Sequence, residues 1–276
     1  MKVQELMIDQ LITKLLKTSD YKLEKYQKGL SNNNYLLEVR NQKYIVRIPY
    51  EASAALFNRN HEAKVMKLCE DLDLEVIYFN NENGIKITKF LSDVVDYDEC
   101  LDIDKTQRAA KLIKTLHQKP VPDFTFNPID KLNAYRNKVT KPILDLTPYE
   151  TIITQIQALD EPLVLCHNDL VAGNLLFSDK RDYLIDYEYA AANSPLFDVM
   201  SFISENNINE KQRQCFYETY FDHIDDELLN KLNNWENFHN LLWCNWAMMM
   251  YEQLNSPIYQ EIASAKYHAL VNNFHH

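Results

Sequence analysis

Between Cys166 and Glu188 the chain reads CHNDLVAGNLLFSDKRDYLIDYE, the stretch in which residue types and spacing are best suited to chemistry. His167, Asn168, Asp169 and Asn174 fall in one short loop. Two apolar runs, Leu175 to Phe177 and Tyr183 to Ile185, follow as a hairpin, and Asp186 and Glu188 close the stretch. A carboxylate, a carboxamide five positions later and a second carboxylate at the end of a strand are the groups that phosphoryl transfer requires. The first accepts or orients the proton of an attacking hydroxyl, and the other two hold Mg²⁺ against nucleotide phosphates. Two polar turns around an ordinary hairpin would give similar letters, so the surrounding chain has to decide.

The elements that must position these groups are legible from hydrophobic periodicity. Leu6, Ile8, Leu11, Ile12, Leu15 and Leu16 recur at helical spacing within residues 2–17. From Tyr21 to Ile48 the period drops to two, which predicts three antiparallel strands with Arg40 to Lys43 as the turn between the last two. The loop Gly29-Leu30-Ser31-Asn32-Asn33-Asn34 joins the first two strands. Such a loop can lie over phosphates, and it is also a normal polar hairpin connection. Arg47 sits on the face of the third strand opposite Tyr44, Val46 and Ile48. A helix expected over about 59–71 places Glu62 in line with Met66 and Cys69 on an apolar stripe. A carboxylate buried there needs a cation, and Arg47 is the nearest candidate in sequence. Glu75 to Phe79 and Gly84 to Thr88 supply two more strands, giving a five-stranded sheet that ends at Lys89-Phe90-Leu91.

Beyond Asp104 the patterns are helical. His117 ends the helix expected over 106–118, where it reads as a C-terminal charge or a core contact without a catalytic role. Ser194-Pro195 opens another helix, on which Asp198, Phe202 and Glu205 share one face at i, i+4 and i+7. Trp243 and Trp246 lie three positions apart in NLLWCNWAMMMYEQ. An apolar helix with two Trp and three Met reads by itself as core.

The HND…N loop resembles that of protein kinases, and the whole segment is more closely similar to the choline/ethanolamine kinase and aminoglycoside phosphotransferase group, in which HND…GN and ID-aromatic-E recur. The resemblance runs in order over nearly the whole chain: loop, Arg47, Glu62, Lys89 to Leu91, the central loop, Asp198 and the W-x-x-W. It implies an α+β, protein-kinase-like fold, with a sheet-rich N-lobe over residues 1–90, a helical C-lobe over 91–276 and ATP between them. It makes Asp169 the catalytic base and Asn174 and Asp186 the Mg²⁺ ligands. Ser31 and Asn32 become phosphate neighbours, Arg47 and Glu62 the strand-cation and helix-glutamate pair at the phosphates, and the Lys89, Phe90 and Leu91 backbone the adenine contact. His167, Glu188 and Asp198 are support, Asp198 as a brace for the loop backbone. Tyr189, Glu205, Trp243, Trp246 and Tyr259 surround the quaternary ammonium of choline, since aromatic faces attract such a cation. The activity implied is transfer of the ATP γ-phosphate to choline. Ethanolamine, thiamine or an aminoglycoside as acceptor, or a catalytically silent nucleotide-binding protein, are the alternatives; intact Asp169, Asn174 and Asp186 weigh against the last.

Composition sets outer limits. A net charge of −11 argues against a nucleic-acid or anionic-membrane surface. Five dispersed cysteines without C-x-x-C spacing suggest neither zinc nor a disulfide framework and fit a reducing compartment, hence a cytoplasmic enzyme; the sequence leaves monomer or homodimer open. Only three glycines favour a helix-rich fold with short turns over a sandwich.

Overall fold

The computed structural model describes residues 2–26, 32–50, 57–206 and 208–274, with side chains from residue 8 onward. Strands β1 (Lys22–Tyr26), β2 (Asn32–Val39), β3 (Gln42–Pro49), β4 (Val76–Phe79) and β5 (Lys86–Lys89) form one antiparallel sheet in the order β1-β2-β3-β5-β4. Alternation gives its two faces different chemistry. On one face Leu37, Val46, Ile48, Ile85 and Ile87 form a small core with Ile8 and Ile12 of helix α1 (Lys2–Leu16). On the other, Arg47 and Lys86 are direct cross-strand partners, and both are buried.

Pairing of Val39 with Gln42 leaves Arg40 and Asn41 as a two-residue hairpin turn, both at positive φ, whose twist matches that of the strands. The polar loop expected through Asn34 is shorter than its composition suggested. Asn32, Asn33 and Asn34 are strand residues opposite Pro49, Ile48 and Arg47, because the β2–β3 ladder extends to them. Gly29 and Ser31 lie outside the described residues.

Helix α2 (Arg59–Leu68) starts on an Asn58 cap that accepts the Asn60 and His61 N–H groups. It stops short of the expected 71, since Leu72 and Asp73 turn their N–H groups back to the Cys69 carbonyl. Its stripe of Val65, Met66 and Cys69 joins the larger core rather than the small one, so α2 ties the sheet to the second lobe.

That lobe contains α3 (Lys105–His117), α4 (Pro128–Arg136), α5 (Thr151–Gln157), α6 (Pro195–Glu205), α7 (Glu210–Tyr220), α8 (Asp226–Leu254) and α9 (Pro257–Phe274). Among the described residues no helix is long and apolar enough to cross a membrane. Four short strands organise the central stretch. β7 (Val164–Cys166) pairs antiparallel with β10 (Ala191–Asn193), with Cys166 opposite Ala191. The intervening chain therefore leaves and returns at one point. Within it β8 (Leu175–Phe177) and β9 (Tyr183–Leu184) form the expected hairpin, extended by β6 (Val95–Asp96). A small antiparallel-sheet lobe joined to a larger helical lobe is the α+β, kinase-like arrangement that the sequence implied.

Gly84 closes the β4–β5 turn at φ +75°, its N–H bonded to the Asn80 carbonyl at 2.7 Å. A Cβ there would stand 2.5 Å from Arg59 Nε. Arg59 has no room to retreat, because its Nη1 donates to Glu62 at 2.6 Å and Glu188 at 3.2 Å. Gly84→Ala is expected to lower unfolding free energy by roughly 2 kcal/mol or more, from left-handed backbone strain plus displacement of a buried guanidinium, read from the urea midpoint.

Candidate active site

The loop after β7 is fixed by α6. Asp198 Oδ2 accepts the His167 N–H at 2.6 Å and Oδ1 accepts that of Asn168 at 2.7 Å. Ser201 Oγ accepts the Leu170 N–H, and Asn206 donates to the Leu170 carbonyl at 2.7 Å. Asp198 is the brace that the sequence suggested, and it also meets His117 Nε2 at 3.1 Å. His117, read as having no catalytic role, thus supports the brace, while its Nδ1 faces the Tyr220 hydroxyl. Nothing in the sequence joins residues 117 and 198; only packing of α3 beside α6 does.

Asn168 adopts φ +65°, which turns Asp169 out of the line of β7. Its amide makes the cost tolerable by donating to the Tyr189 carbonyl and accepting from Asn193. His167 Nε2 meets the Ile185 carbonyl at 2.9 Å, linking the loop to the residue before Asp186. Asn174 Nδ2 donates to the Asp169 carbonyl at 2.9 Å, a bond that does not use its Oδ1. Asp186 stands at φ +69°. The carboxamide oxygen of Asn174 and the carboxylate of Asp186 are oxygen donors, the kind that could hold a hard divalent cation.

Arg47 and Glu62 form the expected ion pair, in full burial at 5% and 1% exposure. The sequence did not reveal how far the pairing extends. Arg47 Nη1 also binds Asp186, while Arg59 bonds both Glu62 and Glu188. Asp186–Arg47–Glu62–Arg59–Glu188 is an alternating chain of charges whose two ends lie two residues apart. The i, i+3 spacing of Arg59 and Glu62 was a signal that could have found Arg59. Lys86 was visible only as a strand lysine.

The electrostatics follow from this chain. Burial works to raise Asp186, but Arg47, with Lys86, His167 and Arg59, outweighs it and holds the carboxyl below its usual range. Among the described residues Asp169 has no cation partner, and its carboxyl is pushed well above the usual range by burial and then by the charges of Asp186, Glu188 and Glu205. Glu188 is raised by burial and by Asp186.

Tyr189, Trp243, Trp246 and Tyr259, separated in sequence, form one row of edge-to-face rings. Successive centroids are 6.5, 5.8 and 5.6 Å apart. Three further residues unremarked in the sequence join at Tyr189: Phe57 at 4.7 Å, Tyr135 through its hydroxyl, and Lys131 with Nζ 5.8 Å from the ring. Trp243 is oriented by His239, whose Nδ1 accepts the indole N–H at 3.1 Å while Nε2 donates to the Phe197 carbonyl. Glu205 is paired with Lys266 of α9, the helix that also carries Tyr259, and its charge acts on Asp169.

At the end of β5 the side chains alternate. Lys89 and Leu91 line a cleft of about 920 Å³ with Met66, Val76 and Tyr183, and Phe90 turns the other way to meet Tyr26. The Lys89 and Phe90 N–H groups already serve the Glu75 and Lys43 carbonyls. Asn32 is buried at the start of β2, and Ser31 is outside the described residues.

The fold and the braced acid define a kinase-like phosphotransferase with an alcohol acceptor. Residues 23–270 match the family model for choline/ethanolamine kinase, and the chain belongs to that family. It is 25% identical over 245 residues to Protein LicA of Haemophilus influenzae, which covers 81% of this chain and 72% of that one. In fold it resembles the choline kinase LicA from Streptococcus pneumoniae, with a TM-score of 0.82 at 24% identity, covering 98% of this chain and 99% of that one. A structure of LicA in complex with AMP gives a TM-score of 0.77 at 22% identity, over 97% and 98% of the two chains.

Two expectations test this network. Glu62→Ala leaves two buried guanidiniums without their shared carboxylate, and a loss of about 3 to 5 kcal/mol is expected in chemical denaturation. His239 is held neutral, with burial and then Lys266 lowering its pKa from 6.5 to about 3. The unfolded chain therefore binds a proton that the folded one refuses as pH falls below about 6.5. Stability should drop by up to about 1.4 kcal/mol per pH unit from this group, and the pH dependence of the urea midpoint between 7 and 5 should be shallower in His239→Gln.

Proposed function

We propose that this protein is an ATP-dependent choline kinase, transferring the γ-phosphate of ATP to the hydroxyl of choline to give phosphocholine and ADP. The observation that carries the substrate reading is the row Tyr189–Trp243–Trp246–Tyr259, gathered from three elements, whose first ring, Tyr189, lies near Asp169. A trimethylammonium group has no N–H to donate and favours aromatic faces, whereas a primary ammonium requires acceptors.

In this reading Asp169 accepts or orients the proton of the choline hydroxyl as its oxygen attacks in line. Asn174 and Asp186 would hold Mg²⁺, which would offset phosphate charge. Arg47, fixed by Glu62, presents positive charge toward the phosphates, with Ser31 and Asn32 as neighbours. Adenine lies against the backbone of Lys89 to Leu91, where the Leu91 N–H and the carbonyls are the groups to meet it. The AMP complex of a relative in fold supports nucleotide binding, and the nucleotide is assigned to the space between residues 1–90 and 91–276. His167, Glu188 and Asp198 hold the loop and metal-side carboxylates in place. Five free cysteines favour work in the cytoplasm.

Because the reaction needs positioning and charge more than covalent help, loss of the base should be severe. Asp169→Asn is expected to lower kcat for choline-dependent ADP release by about a thousandfold or more while nucleotide still binds. Trp246→Leu, at a half-buried ring, should raise the choline KM by roughly 2- to 30-fold and leave the KM for ATP unchanged. Equal effects on both substrates would remove the ring row from the choline site.

A further inference from the structure

We propose that Lys266 is a specificity-determining residue: by neutralising Glu205 it leaves the ring row to select the cationic head, and so disfavours primary ammonium alcohols. The inference rests on the reading that the ring row and Glu205 receive the head of an amino-alcohol.

A lysine is an unexpected group beside a site for cations. It is the single Lys of α9 and projects to the C-terminal end of α6. There Nζ donates to the Ser204 carbonyl at 3.1 Å and to Glu205 Oε1. Side-chain exposure is 11% for Lys266 and 19% for Glu205, so the pair is shielded rather than a solvated surface contact. The same ammonium lies close enough to the Trp243 partner, His239, to disfavour its protonation. Lys266 follows Tyr259, the last ring of the row, by seven positions on α9 and so shares its helix face, with its charge directed at Glu205.

The consequence depends on the chemistry of the incoming head. A quaternary ammonium gains from ring faces and makes no hydrogen bond, so prior neutralisation of Glu205 takes away only long-range attraction. A primary ammonium carries three donors. To satisfy them it must compete with Lys266 for Glu205, and donors left unmet in a shielded site count against it. A free carboxylate would welcome both heads, and the hydrogen-bonding one more.

The test is steady-state kinetics with choline, ethanolamine and ATP on the intact chain and on Lys266→Gln, Lys266→Met, Lys266→Arg, Glu205→Gln and the Lys266→Gln/Glu205→Gln double variant. Lys266→Gln keeps hydrogen-bonding capacity and removes the charge, so it remains informative if Lys266→Met does not fold. The expected result is an ethanolamine KM lowered about tenfold, a smaller fall for choline, and an unchanged KM for ATP. Lys266→Arg should keep the original preference. Glu205→Gln should raise both amino-alcohol KM values, and the double variant should bring them back down by removing the unpaired ammonium. A choline-to-ethanolamine preference that stays the same in Lys266→Gln overturns the proposal, as does a change confined to kcat or shared equally with ATP. Failure of the unaltered chain to phosphorylate either alcohol is a different outcome, one that removes the substrate reading itself.

Discussion

Two guanidiniums and three carboxylates, taken in alternation, hold this structure in working order. Arg47 comes from β3, Glu62 and Arg59 from α2, and Asp186 and Glu188 from the turn after β9. A buried charge without a partner is among the most costly things a fold can contain, so each member constrains the next. The sheet cannot shift against α2, nor α2 against the Asp186 turn, without exposing one of them. Gly84 belongs to the same constraint: it leaves the space that the Arg59 guanidinium occupies. Arg59 Nε and Nη2 meet no hydrogen-bond partner among the described residues, which shows that the network is built around charge rather than complete hydrogen bonding.

A second constraint acts from the helical lobe. Asp198 binds two successive backbone N–H groups of the loop and a histidine from α3, and the loop can then hold Asn168 in the left-handed region. Such a backbone conformation persists only where its surroundings over-determine it. The result is an acid, Asp169, placed among three other carboxylates with no cation of its own among the described residues, while Asp186 a short distance away is held ionised by Arg47. Two carboxylates with opposite shifts suit different tasks, one exchanging a proton and the other holding a cation. In the proposed reading, the ring row and the Lys266–Glu205 pair extend this pattern to the acceptor side, where shape and neutralised charge replace free anions.

The sequence alone determined a good deal. Strand and helix periods gave the five-stranded sheet, the helix bearing Glu62 and the hairpin after Asn174, because each is set by local alternation of apolar residues. The order of Asp169, Asn174 and Asp186 marked phosphoryl transfer, since that chemistry fixes residue types at short spacing, and the buried stripe of α2 pointed to a cation for Glu62. What only the tertiary structure decided is which distant partners complete those groups. His117 reaches Asp198 across 81 residues, Arg59 reaches Glu188 across 129, and Lys266 reaches Glu205 from a helix whose sequence is otherwise unexceptional. Asn32 to Asn34 look like loop by composition and become strand because β3 offers them a ladder. Local pattern records how each segment meets water and its nearest neighbours; charge pairing and ring stacking depend on which segments the packing of the two lobes brings within a few ångströms.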